Sequence, residues 1–361
     1  MSFVELDGRI QRKMRELREK GELSPVNFGF KSWNQYNEGK YLMGSRKCTL
    51  LLGGEPNHGK SQVTNEMVMQ MIEKHKFKVA LFTTESGDVE KVFTQFCGLY
   101  QGKPYTKIKP DGSVNSFAMS DDEADEAEYF MRNHLFIFKQ DRKDSKYQTL
   151  ENIYQQLAKM EELMEIKFDS LVIDPIYDVD DFQPKADEVL RVLNRINLEA
   201  EENNRFDIIV NHVSETSKTV DQKTGKRRKL LALADEFYGG KNNNRKAMLQ
   251  ILVHRPEPND GSDGNPVVME NQTNIHILKV KPEGIAKWGV YDIYYDWRSR
   301  RYYENYFEDG KDFFRFAECV KFYDRRPNSS DVDVKQIRVT PDQAFQTQLK
   351  IEQDDEDDFP F

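Results

Sequence analysis

Apolar residues fall along this chain in short runs, separated by stretches with helical spacing. Residues 47–53 read as a buried strand, 53–59 as a glycine-containing turn and 60–75 as a helix. The run KVALFTT at 78–84 is the next strand, and 88–101 has helical spacing. Between 102 and 122, two prolines and two glycines break the pattern into a loop. A helix over 122–132, a strand over 134–138 and a helix over 148–164 follow. Then come a strand at 169–174, a helix at 185–203 and a strand at 207–213. A polar, basic loop covers 214–229, and strands at 248–254, 274–281, 289–296 and 300–304 close the series. Strands that alternate with helices early and cluster late predict an α/β fold. Its mostly parallel central sheet is extended by C-terminal antiparallel strands.

The ends read differently. Residues 8–20 form a charged helix whose apolar stripe is too thin for a core, so it is expected to dock on another surface or subunit. The following SPVNFGFKSWNQYNEG reads as a loop with a short helix. From about 325 the apolar pattern is lost, and an acidic, disordered end is expected. This divides the chain into 1–27, a linker-like helix; 28–324, the α/β domain; and 325–361, a flexible tail. No internal repeat is visible.

Hydrophobic residues make up 38% and charged residues 32%, with no apolar run long enough to span a membrane and no secretory h-region at the start. Cys48, Cys97 and Cys319 are scattered without metal-ligand spacing, which fits structural thiols in a reducing cytoplasm, bacterial or phage-infected. Net charge is −9, but it is segregated. The last ten residues, EQDDEDDFPF, hold six acids and no base, whereas Lys218–Lys246 holds nine Lys or Arg against three acids. A polyanion meets the local field rather than the average.

Residues 54–61, GEPNHGKS, fit a phosphate-binding loop between a strand and a helix. Gly54, Glu55, Pro56, Asn57, His58, Gly59, Lys60, Ser61 and Gln62 are the expected nucleotide-binding set. Backbone N–H groups would cradle phosphate oxygens, Lys60 would reach the β- and γ-phosphates, and Ser61 would hold Mg²⁺. His58 reads as a spacer. LVID ends at Asp174 on a strand tip, where a second carboxylate can orient Mg²⁺. Glu85 follows the strand after the loop helix and is the candidate general base, the alternative being an exposed loop carboxylate. His212 ends a further strand, as a γ-phosphate contact or as a packed sheet-edge histidine. The implied cofactors are ATP, or another nucleoside triphosphate, and Mg²⁺.

In order, FGFKSWNQY, GGEPNHGKSQ, LFTTES, LVIDP, IIVNH, ILKVKPEG and YYDWRSRRYYE resemble the helicase domain of the DnaB family. The likeness is greatest to its phage and mitochondrial, Twinkle-like replicative members, and it covers about residues 28–305. The resemblance implies a RecA-like ATPase core in a replicative helicase that moves on single-stranded DNA as a hexameric ring. It implies Glu85 as catalytic glutamate, Asp174 as Walker B aspartate and His212 as sensor. KVKPEG at 279–284 would project into the neighbouring subunit's site, with Lys281 where the family usually has an arginine finger. Arg255, Arg298 or Arg300 are the alternatives for that role. Loops around 178–186 and 214–246 would face a central channel. There Lys218, Lys223, Lys226, Arg227, Arg228, Lys229, Lys241 and Arg245 suit contact with a DNA backbone, and Tyr238 to Gly240 and Asn242–Asn244 would help grip phosphates. The DDEDDFPF tip, through Phe359 and Phe361, would dock on a polymerase, a primase or another replication protein. Two further readings stay open: a RecA/RadA-like recombinase or mediator forming filaments on DNA, and a regulatory ATPase acting without DNA.

Overall fold

In a computed structural model, the chain is described over residues 8–21, 23–35, 39–84, 88–138, 148–183, 185–213, 218–220, 227–229, 231–262, 267–281 and 283–327. The elements are α1 (Gly8–Lys20), β1 (Pro25–Asn27), β2 (Met43–Ser45), β3 (Cys48–Gly54), α2 (Lys60–His75), β4 (Val79–Thr83), α3 (Val89–Gln101) and α4 (Asp121–Arg132). Next come β5 (Leu135–Phe138), α5 (Leu150–Met164), β6 (Ser170–Asp174), α6 (Ala186–Glu202), β7 (Phe206–His212), β8 (Lys218–Val220), β9 (Arg227–Lys229) and α7 (Lys241–Lys246). The series ends with β10 (Leu249–His254), β11 (Gln272–Val280), β12 (Val290–Asp296), β13 (Arg301–Glu308) and β14 (Lys311–Phe316).

Ten strands form one sheet in the order β14-β13-β12-β11-β10-β3-β7-β6-β4-β5. From β10 to β5 neighbouring strands are parallel; from β10 to β14 they are antiparallel. β3, β4 and β6 are buried along their whole length, as parallel strands covered on both faces must be. Successive residues point to opposite faces and build two cores. Leu50, Leu52, Val79, Leu81, Ile208 and Val210 join Met67 and Met71 of α2 and Phe96 of α3 on one face. Leu51, Ala80, Phe82, Leu171, Ile173 and Ile209 meet Leu157 of α5 and Val192 and Ile196 of α6 on the other.

Local chemistry sets several boundaries. Ser120 and Glu123 form a reciprocal capping box at the start of α4. Thr149 Oγ1 accepts from the Asn152 N–H at the start of α5. The late strands run beyond the predicted stretch: β13 extends to Glu308, and β14 returns after Asp309 and Gly310, whose φ angles are 50° and 77°. That Asp-Gly pair is the two-residue hairpin signal the periodicity reading passed over. Likewise the basic loop at 214–229 holds a short ribbon, with Lys218 opposite Lys229 and Val220 opposite Arg227. Of the expected flexible tail, 325–361, residues 325–327 are described, with Arg325 donating to Gly102 O and Asp296, and 328–361 lie outside the described residues. All three cysteines are free, and burial pushes the thiols of Cys48 up to about 11 and of Cys97 and Cys319 up to about 12. Among the described residues no helix is long and apolar enough to cross a membrane.

Glu304 of β13 ties the antiparallel strands to the N-terminal segment. Its carboxylate accepts the Lys31 N–H at 2.6 Å and the Ser32 N–H at 2.5 Å. Burial pushes this carboxyl up to about 7 from an ordinary 4.5, against the two N–H groups that favour the charged form. A carboxyl raised in the folded state contributes stability that is complete below its ordinary pKa and is lost as pH rises through the folded value. Wild-type stability should therefore fall by about 1–3 kcal/mol between pH 5 and 8 relative to Glu304→Gln, since one pKa unit is worth about 1.4 kcal/mol. Urea denaturation of both chains across that range checks it; parallel pH profiles would remove Glu304 as the cause.

Candidate active site

β3 delivers the glycine-rich turn to the carboxyl edge of the sheet. Gly59, immediately before α2, has φ 84° and ψ 21°, a left-handed conformation that favours glycine. At Gly54 an added Cβ would lie 2.7 Å from the Val253 carbonyl oxygen, so only glycine passes beside β10. Lys60 is 8% exposed, and its Nζ donates to the carbonyls of Gly54 at 2.9 Å and Glu55 at 3.0 Å. No side chain caps α2, which leaves the N–H groups of its first turn facing the loop. A concave turn with a cation, backbone donors and a positive helix end can hold phosphate oxygens. Pro56 and Asn57 are exposed at the rim, with Gln62 on the outer side of α2 and Ser61 half-buried beside Lys60.

His58 braces the loop against β10. Its Nδ1 accepts the Arg255 backbone N–H at 3.2 Å, and its Nε2 lies 3.8 Å from Glu55 Oε2. Burial, together with the charges of Lys60 and Arg255, holds its pKa below the ordinary value, so the ring is neutral at pH 7. The Arg255 guanidinium reaches to 3.5 Å from where a Cβ on Gly59 would stand. It thus lies against the loop of its own chain.

Strand register gathers other predicted residues at the same edge. His212 pairs with Gly54 across β7 and β3, and Asp174 pairs with Thr83 across β6 and β4. β7 alone separates β3 from β6. Asp174 is 6% exposed, its carbonyl accepts the Thr84 N–H at 3.3 Å, and Thr84 Oγ1 donates to Asp178. The His212 ring meets Tyr177 edge-on at 4.6 Å. Glu85 lies outside the described residues.

Lys281 is not part of this gathering. β11 is antiparallel to β10, so Val280 pairs with Leu249, and the Lys281 N–H donates to Met248 O at 2.6 Å. It stands at the opposite edge of the sheet, the six residues of β10 away from its own loop, or roughly 20 Å.

The basic segment is fastened to the same edge as the loop. Phe237, fully buried, fills the space where Gly53 has no side chain: an added Cβ would lie 2.2 Å from its ring. The Tyr238 N–H donates to His212 O at 2.8 Å, and Asn211 Nδ2 donates to Tyr238 O at 2.9 Å. Asn243, read from sequence as a phosphate grip, is fully buried and donates to the carbonyls of Phe237, Tyr238 and Gly240. It clasps the turn from inside and is not a surface group. Lys241 and Arg245 are exposed on α7. Lys218, Arg227, Arg228 and Lys229 lie on the β8–β9 ribbon, while Lys223, Lys226, Phe359 and Phe361 fall outside the described residues.

One positioning residue escaped the sequence reading. Arg301, in the RSRR run, is fully buried under α2. Its Nε donates to Glu66 at 2.7 Å, its Nη2 to Glu73 at 2.9 Å and its Nη1 to Leu99 O at 3.1 Å. Glu66 also accepts the Tyr302 N–H at 3.0 Å. Burial pushes the Glu73 carboxyl up to about 7, opposed by Arg301. The cluster fixes the loop helix to β13 and α3. Glu66 and Glu73 on one helix, with an arginine-rich turn downstream, were the available signal.

No protein-family model and no curated protein matches the chain. Solved structures do. The ATPase domain of a phage helicase aligns over 83% of this chain and 99% of that one, with a TM-score of 0.60 at 14% identity. The chain carries a RecA-like ATPase fold. A DnaB-like replicative helicase, described together with its interactions with primase, aligns over 83% of this chain and 67% of that one, with a TM-score of 0.58 at 15% identity. The likeness to DnaB-type helicase domains read from the motifs therefore holds at the level of the fold.

Proposed function

We propose that this chain is an ATP-dependent DNA helicase that translocates on single-stranded DNA and unwinds duplex as a ring, most simply a hexamer. The observation that carries this reading is the gathering of the Gly54–Ser61 loop, Asp174 and His212 at one sheet edge, with the basic segment bonded to His212 through Tyr238.

The donor set fits a nucleoside triphosphate and Mg²⁺. Ser61 and Asp174 would hold the ion, which when bound neutralises phosphate charge. Lys60 and the loop N–H groups bind and orient the β- and γ-phosphates. Glu85 takes the proton of the attacking water on its carboxylate. His212, bonded at its carbonyl to Tyr238, contacts the γ-phosphate and links its loss to the basic segment. Lys281 is contributed by a neighbouring copy. Lys218, Lys223, Lys226, Arg227, Arg228, Lys229, Lys241 and Arg245 follow a DNA backbone without reading bases. Residues 1–27 act as a linker helix onto the next subunit, 28–324 as the motor, and 325–361 as a tail that recruits a polymerase, a primase or another replication protein through Phe359 and Phe361.

Turnover should rise with single-stranded DNA, and a forked substrate should be separated with ATP and Mg²⁺. Glu85→Gln should retain nucleotide binding and slow hydrolysis by about 10²-fold or more; an unchanged rate would remove Glu85 from the mechanism. Failure to separate any fork under every loading condition would sink the helicase reading. Open filaments in particle images would favour a recombinase. DNA-independent turnover, unaltered by alanines at Lys226–Lys229, would favour a regulatory ATPase.

A further inference from the structure

A groove opens between one face of α3 with its following loop and the turn that joins β12 to β13. It consists of two adjoining cavities of 340 and 280 Å³ that share Lys103, Pro104 and Arg298. Every charged side chain that lines it among the described residues is a cation: Lys91, Lys103, Arg298, Arg300 and Arg325. Two of these are offset from the side, Lys103 by Glu123 at 2.6 Å and Arg325 by Asp296 at 3.1 Å. Lys91 and Arg300 are exposed, and neither has an ion-pair partner among the described residues. On a chain of net charge −9, this is a basic island.

The groove also offers aromatic surface. The Arg298 guanidinium lies 4.5 Å from the Phe117 ring centre. Phe117, which lines the groove, is 52% exposed. A suitable occupant combines closely spaced carboxylates with aromatic side chains. Residues 352–361, EQDDEDDFPF, have that composition: six acids, no base and two phenylalanines. The last described residue is Pro327, and Arg325, two residues earlier, lines the groove. The connecting residues 328–351 can span up to about 80 Å, and tethering within one chain raises the effective concentration of the segment at the groove to the order of millimolar.

We propose that the acidic segment 352–361 docks within its own chain in this groove, its carboxylates on Lys91, Lys103, Arg298 and Arg300 and its phenylalanines against Phe117. So seated, the segment covers the groove and withholds Phe359 and Phe361 from any partner. Salt or a competing polyanion releases it. The proposal does not depend on the ATPase reading.

Zero-length carbodiimide cross-linking of the full chain, read by mass spectrometry, tests it. Amide links should join the 352–358 carboxylates to Lys91 and Lys103, with a yield independent of protein concentration and reduced severalfold at about 1 M salt. In a mixture of isotope-labelled and unlabelled chains, the linked peptides should carry the same label. Arg298→Glu with Arg300→Glu should lower the yield severalfold. Phe359→Ala with Phe361→Ala, which leaves the folded body untouched, should do the same. Links that run mainly to the lysines of 218–246, mixed-label pairs, or a yield unchanged in the Phe359/Phe361 double variant would overturn it.

Discussion

Lys60→Ala is expected to lower nucleotide turnover by at least about 10²-fold, the usual cost of losing a preorganised donor at a charge that develops in the transition state. In the structure Lys60 Nζ is held among loop carbonyls. Its hydrogen bonds there contribute only about 1 kcal/mol each, so the folded chain should persist. The loss falls on the bound phosphates, which no longer face a buried ammonium group. Binding should weaken as well, and the thermal stabilisation by nucleotide should shrink accordingly. Turnover assays, together with melting curves with and without nucleotide, check this. Turnover within tenfold of wild type in a folded Lys60→Ala chain would remove Lys60 from the mechanism.

Arg301→Met is expected to have the largest effect on stability. It removes the guanidinium shared by Glu66 and Glu73 and leaves two buried carboxylates without that counter-charge. Breaking a buried pair in this way costs about 3–5 kcal/mol, a large share of the roughly 5–15 kcal/mol that holds a domain folded. Adding Glu66→Gln and Glu73→Gln should recover part of the loss, because neutral amides do not need the cation. Denaturant unfolding of the single and triple variants measures both effects. A loss under about 1 kcal/mol for Arg301→Met would mean that the cluster is solvated in solution.

The parallel half of the fold was legible because its strands are largely apolar runs, and β3, β6 and β7 are closed by a glycine, an aspartate and a histidine. Gly54, Asp174 and His212 could be placed at strand ends for the same reason. The antiparallel half was less legible. β14 sets Lys311, Asp312 and Arg315 among three phenylalanines without strict alternation, and pairing with β13 creates the strand. Arg301 was hidden because a buried arginine looks like a surface one until its two glutamates on α2 are seen beside it. Asn243 misled for the converse reason: an asparagine in a basic segment reads as exposed, whereas this one serves three carbonyls of a turn. Of the residues named for an arginine-finger role, Arg255 sits at its own loop and Lys281 at the far edge, a distinction that only β10–β11 register supplies.

The distance between Lys281 and its own loop bears on how copies of the chain can associate. A site completed by Lys281 of another copy joins unlike surfaces, the loop edge of one molecule and the β11 end of the next. A two-fold dimer makes that contact reciprocally only where the loop edge and the β11 end lie in one self-complementary patch; a head-to-tail join makes it once per added molecule. Each added molecule presents again the same unfilled loop edge, so association has a direction and continues until the rotation per copy returns the array to its start. Closure then decides how many sites are complete: a ring completes every site, whereas an open array always leaves one loop without its lysine.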